Sequence, residues 1–118
     1  VLTLSPAQEQ HWRLTRPGQN FERAHFRLTG KAEGWFSHVR VHPDRPCNTV
    51  TTHSRGDLSH WVEPRRFSVA EYKRIHSYPD DYIIEGSYDR QVEGIGRSVP
   101  PRMMEALART LYEEILSK

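Results

Sequence analysis

The chain has 118 residues, 17 basic and 15 acidic side chains and one cysteine, with 36% apolar and 27% charged residues. That composition describes one small, polar but foldable domain with a modest core, not a disordered tract. It excludes an internal disulfide, because Cys47 is alone, and a membrane-spanning run of roughly 18 apolar residues.

The opening Val1-Leu2-Thr3-Leu4-Ser5-Pro6 lacks the charged start and apolar stretch of a secretory signal, and a start at Val rather than Met reads as a piece of something longer. Charge is uneven. Residues 11–66 hold ten Lys/Arg against five Asp/Glu, and residues 67–118 hold seven against nine. The basic first half suits an anionic partner such as a phosphate backbone; a merely solvated face is the plainer alternative. Residues 13–34, with Arg16-Pro17-Gly18-Gln19-Asn20 and Gly30, show little periodicity and read as mostly loop. Trp35–Val41 alternates and is rich in β-formers, so it reads as a strand, stopped by His42-Pro43-Asp44-Arg45-Pro46. Asn48–Thr52 reads as a second strand, Ser54–Asp57 as a turn, and His60–Glu63 as a third strand ended by Pro64.

Ser68 followed by Glu71 is a capping box that predicts a short helix from Val69 to about Ser77. Tyr78 precedes Pro79 and is biased away from helical geometry, so a turn over Tyr78–Asp81 follows. Pro100-Pro101 open the longest element, Arg102–Leu116, since proline is tolerated at a helix start. Met104, Leu107, Ala108, Leu111 and Ile115 form one apolar stripe on it, and Glu105 and Arg109 a favourable (i, i+4) pair. So small a chain supplies only part of a surface for that stripe, which points to a missing partner. The fold class expected is α+β: a few short β-strands, a short helix, then a long C-terminal amphipathic helix.

Four stretches resemble cytosine-5-specific DNA methyltransferases in the order and spacing of that family's C-terminal segment, and a fifth resembles it weakly. Arg65-Arg66-Phe67-Ser68-Val69-Ala70-Glu71 is similar to its Arg-x-Leu-Thr-x-x-Glu piece. Tyr78-Pro79-Asp80-Asp81-Tyr82 is similar to Phe-Pro-Asp-x-(Phe/Tyr), and Gly96-Arg97-Ser98-Val99-Pro100-Pro101 to Gly-Asn-(Ala/Ser)-Val-Pro-Pro. Arg45-Pro46-Cys47-Asn48-Thr49-Val50-Thr51-Thr52 resembles Arg-Pro-x-x-Thr-(Ile/Val)-Thr-x, and Trp12–Asn20 more weakly resembles the loop before it. The departures are Arg97 where the family has Asn, Ser77 where it has Gly, and Val69-Ala70 where it has Pro-Arg.

The resemblance implies the end of a two-lobed enzyme. Residues 1–66 would close a β-rich, basic, DNA-facing small domain, and residues 67–118 would return to the catalytic domain. It implies S-adenosylmethionine as the cofactor, bound only by the complete enzyme, with Arg97, Ser98 and Val99 at one edge. The contact made by the family's Asn does not transfer to Arg97. It places Arg45, Thr49 and Arg65 near double-stranded DNA. For Arg45 a phosphate contact and a structural salt bridge stay open, and for Arg65 the structural role leads. Ser98 is alternatively a cap of the last helix, and Tyr78 and Tyr82 are expected in the core.

No Phe-x-Gly-x-Gly loop, Pro-Cys-Gln nucleophile or Glu-Asn-Val acid is visible, so this chain alone is expected to be inactive, with no catalytic residue. Pro46-Cys47-Asn48 imitates the nucleophile motif but lacks its flanks and a following helix, so Cys47 reads as a packing residue. His38, His42, His53 and His60 cluster in sequence without paired zinc-ligand spacing, so no metal is expected. The expected function is therefore a C-terminal fragment or small subunit of a bacterial, cytoplasmic restriction-modification methyltransferase, partnered by DNA and by the missing catalytic portion. The alternatives are a stand-alone non-catalytic DNA-binding module and, on the histidines, a metal-dependent hydrolase.

Overall fold

A computed structural model describes residues 2–31, 35, 37–51 and 57–117. Helix α1 (Pro6–Leu14) begins at a capping box: the Gln8 amide donates to Ser5 Oγ and the Ser5 amide to Gln8 Oε1, with Pro6 first in the helix. Helix α2 (Glu22–Thr29) ends at Gly30, whose φ of 74° lets its amide reach the Phe26 carbonyl. The loop expected over residues 13–34 is thus corrected. A capped start and a glycine stop make helices there despite weak periodicity.

The sheet is small. Strands β1 (Val39–Arg40) and β2 (Leu58–Ser59) pair in parallel, with Val39 opposite Leu58 and Arg40 opposite Ser59. Single antiparallel bridges join Asn20 to Val39, Ser59 to Arg66 and Thr3 to Arg65. The expected strand over Trp35–Val41 shrinks to two residues, with Phe36 outside the described residues, and Asn48–Thr51 forms no strand. Thr52, and Ser54–Gly56 of the expected turn, also lie outside the described residues. The third expected strand is displaced to Leu58–Ser59. His60–Glu63 bends instead, because His60 Nδ1 accepts the Val62 and Glu63 amides at 3.0 and 3.1 Å. Burial, and then the Arg65 charge, push the His60 pKa down and keep that ring a neutral acceptor.

Helix α3 (Val69–Ile75) starts at the predicted box: the Ser68 amide donates to Glu71 Oε1 and the Glu71 amide to Ser68 Oγ. It stops where Ser77 adopts a left-handed φ of 61°, with the Ser77 and Tyr78 amides on the Arg74 and Lys73 carbonyls. Helix α4 (Tyr88–Arg97), capped by Ser87, is an addition to the expected elements and drives Val92 and Ile95 into the core. Helix α5 (Pro101–Leu111) continues into a π-helical turn, Tyr112–Leu116. The architecture is α+β, more helical than expected.

The main core gathers Val39, Val41, Val50, Leu58, Phe67, Tyr72, Val92 and Ile95. A second cluster holds Leu4, Trp12 and Phe21 with Trp35 against them. Arg40 joins the two. Its guanidinium lies 3.8 Å above the Trp12 ring and donates to the carbonyls of Trp12, Thr15 and Trp61. Tyr78 packs against the core, but Tyr82 is 53% exposed, which corrects its expected burial. The radius of gyration is 17.0 Å, against roughly 13.5 Å for a compact chain of this length. The excess fits α5, along which every residue from Arg102 to Ser117 is exposed. Among the described residues no helix is long and apolar enough to cross a membrane.

Candidate functional site

Arg65 is anchored on two carboxylates. Its Nε donates to Glu63 at 2.6 Å, and its Nη1 and Nη2 fork onto Glu71 at 2.7 and 3.2 Å. Nη1 also reaches the Arg66 carbonyl. Burial works to raise the Glu71 pKa, but the Arg65 fork, the Ser68 amide and hydroxyl and the Arg65 charge outweigh it and hold the carboxyl at about 2. Arg65 in turn is held well above its ordinary value by Glu71 and then Glu63. One carboxylate therefore caps α3 and anchors the arginine leading into it. This geometry supports the structural reading of Arg65, since four of its five donors are engaged within the chain.

Arg45 and Thr49 do not share one cleft. Thr49 lines a cleft of about 320 Å³ with Gly18, Asn20, Asn48, Thr51 and Asp57. Arg45 lines one of about 330 Å³ with Cys47, Trp61, Phe67 and Glu71. Gly18 connects them: at φ +90° it takes a left-handed conformation, and a Cβ there would stand 3.1 Å from Arg45 Nη1. Arg45 is exposed and makes no ion pair among the described residues, so the salt-bridge alternative finds no partner there.

The Arg97–Val99 segment links α4 to α5. Arg97 closes α4 and pairs with Glu93 at 2.7 Å, so its head is held along its own helix. Ser98 caps the end of α4, not the start of α5: its amide and its Oγ both donate to the Ile95 carbonyl. His76 Nε2 donates to the Ser98 carbonyl at 3.3 Å, and Ser77 Oγ accepts the Arg102 amide at 3.1 Å. The end of α3 thus holds this segment at two points. Val99 is 47% exposed. Sequence reasoning did not single out His76 and Ser77 as contacts of this segment. The signal available was only that Ser77 stands where the family has glycine.

Cys47 is half-buried, and burial pushes its thiol up to about 11. This is the opposite of an activated nucleophile and fits a packing role. Among the described residues no group of three His, Cys, Asp or Glu is arranged to hold a metal ion. His38 faces Asp57 at 3.5 Å, and His42 Nδ1 accepts the Asp44 amide.

The family model for C-5 cytosine-specific DNA methylases matches residues 5–113. The chain belongs to that family. It is 36% identical over 89 residues to the type II methyltransferase M.BbvI of Brevibacillus brevis, covering 67% of this chain and 24% of that protein. It is 41% identical over 75 residues to M.AgeI of Thalassovita gelatinovora, covering 61% and 18%. It is 34% identical over 83 residues to M.DdeI of Desulfomicrobium norvegicum, covering 64% and 20%. The chain thus spans about a quarter or less of the length of these relatives. No solved structure matches it. Membership in a family of restriction-modification DNA methyltransferases accords with the five resembling stretches between Trp12 and Pro101.

Proposed function

We propose that this chain is the C-terminal segment of a DNA (cytosine-5-)-methyltransferase, excised or made as a small subunit, working in the bacterial cytoplasm. It contributes DNA clamping and one edge of the cofactor site, while the reactive cysteine lies on other polypeptide. Residues 1–66 form the DNA-facing part and residues 67–118 the return to the catalytic lobe. The observation that carries this reading is α5. Met103, Met104, Leu107, Leu111 and Ile115 are about half exposed or more along one continuous element, in a chain that covers only a fraction of its relatives. An apolar stripe of that length is covered in the assembled enzyme.

Cytosine C5 becomes nucleophilic only after a thiolate adds to C6, and the target base must first leave the stack. A two-sided clamp on the duplex stabilises that extruded state. Arg45 and Thr49 offer a charge and a hydroxyl to the backbone on this side of the clamp. Arg65 supports it by fixing the Glu63–Glu71 loop and the start of α3.

S-adenosylmethionine supplies the electrophilic methyl group. The Arg97–Val99 segment fits as one wall for it, not a pocket. Val99 offers an exposed apolar side chain, whereas the amide, hydroxyl and carbonyl of Ser98 are each already engaged. We assign van der Waals contact to Val99 and a backbone-positioning role to Ser98, with Arg97 held outward by Glu93.

The test is methyl transfer from tritiated S-adenosylmethionine to duplex DNA. The chain alone should give none, and the chain combined with the catalytic portion of its parent should restore it. A second reading, a non-catalytic DNA-binding module, is favoured by Arg97 in place of Asn. Under that reading the combined pair binds DNA without transferring methyl.

A further inference from the structure

The basic half of the chain divides into cations the fold uses and cations it leaves free. Arg40 is fixed on three carbonyls and Arg65 on two carboxylates, and Arg66 lies over the Tyr88 ring at 4.9 Å. These are internal fastenings. Arg16, Arg23, Arg27 and Lys31 differ: each is exposed, and none has a side-chain hydrogen bond or ion pair among the described residues. Arg23 and Arg27 lie on α2, Lys31 just after it and Arg16 in the connection between α1 and α2, all in the stretch whose sequence reads as loop. Arg23 and Arg27 stand one turn apart and so share a face of α2. Glu22 is the single acidic side chain of that helix.

This face is continuous with residues already assigned to DNA. Thr49 and Asn20 line one cleft together, and Asn20, Gln19 and Arg23 line the adjoining recess. Gly18, in the turn before α2, lies beside the Arg45 guanidinium. The free charge therefore runs from Arg45 through the Gly18–Asn20 turn onto α2. These unpaired guanidinium groups outnumber the carboxylates beside them, Glu22 on α2, Asp57 in the Thr49 cleft and Asp44 next to Arg45, and such an excess is complementary to a polyanion.

We propose that the Arg23–Arg27 face of α2 is a phosphate-tracking ridge that extends the duplex contact beyond Arg45 and Thr49. This rests on the DNA-clamping reading above. The ridge contacts the backbone and carries affinity, not sequence choice.

The experiment measures binding of the 118-residue chain to a short fluorescent duplex by anisotropy across a salt series. Removing one phosphate-neutralising cation lowers the slope of log affinity against log salt by about 0.9, so an R23Q/R27Q double variant should lower it by about 1.8. R23K/R27K should keep most of the slope. R90Q/R109Q removes the same charge from the acidic half and should leave the slope unchanged. Circular dichroism on every variant confirms that these exposed changes leave the fold intact. If the wild-type chain binds with a steep slope and R23Q/R27Q binds identically, the ridge is refuted while DNA clamping stands. If R90Q/R109Q lowers the slope as much, the effect is net charge and the ridge is again refuted. If the wild-type chain does not bind duplex at all, the DNA-clamping reading itself fails, and the ridge with it.

Discussion

Glu71 is the residue whose removal most directly tests how this segment holds its shape. Its carboxylate accepts the Ser68 amide at 2.8 Å and both terminal nitrogens of Arg65 at 2.7 and 3.2 Å. The Arg65 and Glu71 side chains are 26% and 31% exposed, so this pair is better shielded than a surface ion pair. Loss of a capping box costs about 1 kcal/mol. Charge-assisted bonds at a partly shielded fork add about 1–2 kcal/mol after solvent screening. Glu71→Ala should therefore destabilise the chain by about 2–3 kcal/mol, or lower the melting midpoint by about 8–12 °C at this size. Glu63, the other partner of Arg65, is 60% exposed, so Glu63→Ala should leave the midpoint nearly unchanged. The two variants are compared by far-ultraviolet circular dichroism in thermal and urea unfolding. The pH dependence carries a definite sign. The Glu71 carboxyl lies at about 2 in the fold against an ordinary 4.5, so its stabilisation is complete above that ordinary value and drains away as pH falls towards 2. The gap between wild type and Glu71→Ala should close over that interval. A Glu71→Ala variant no less stable than Glu63→Ala, or a gap independent of pH, would refute the reasoning.

Three further outcomes follow from the geometry. Ser77→Ala keeps the left-handed strain and loses the Arg102 bond, so it should cost about 1 kcal/mol, whereas Ser77→Gly relieves about as much strain as it forfeits in bonding and should be near neutral; calorimetry showing the alanine variant equal to or better than the glycine one counts against this. Cys47 should alkylate slowly with iodoacetamide near neutral pH and accelerate only as pH approaches about 11, and Cys47→Ser should leave methyl transfer by the reconstituted pair unchanged; loss of transfer would reinstate the thiol as a nucleophile. Val92→Ala removes a fully buried side chain between α4 and the core and should cost about 2 kcal/mol in urea unfolding, while Val62→Ala, at 68% exposed, should cost almost nothing.

Legibility followed the physics of each signal. The Ser68–Glu71 box was readable because its two hydrogen bonds are local, and α5 because an apolar stripe with a proline start needs no tertiary context. Ser5–Gln8 and Pro6 carry the same kind of signal for α1, yet the glycines and prolines that follow obscured it. Helix α2 has Phe21 at its start with no side-chain cap, so only Gly30 marked it. Helix α4 holds Gly94 and Gly96, which weaken its helical signal, and Val92 and Ile95 make it a helix by burial. The strands were overread because β-rich composition does not reveal where the ladder stops: among the described residues there are two residue pairs and three isolated bridges. Of the candidate site, the motifs gave Arg45, Thr49, Arg65 and Arg97–Val99. They did not give the division of the cations into fastened and free, which depends on contacts between residues distant in sequence. Nor did they give the two-point hold of His76 and Ser77 on the α4–α5 segment.

The central claim is that the exposed stripe of α5 completes a catalytic portion carried elsewhere. The most direct measurement is methyl transfer by that portion mixed with this chain, wild type or carrying Leu107→Asp and Leu111→Asp. Wild type should restore transfer and co-elute with its partner, and the aspartate variant should do neither while still binding DNA. Equal transfer by both, or transfer by the isolated chain, would contradict the claim.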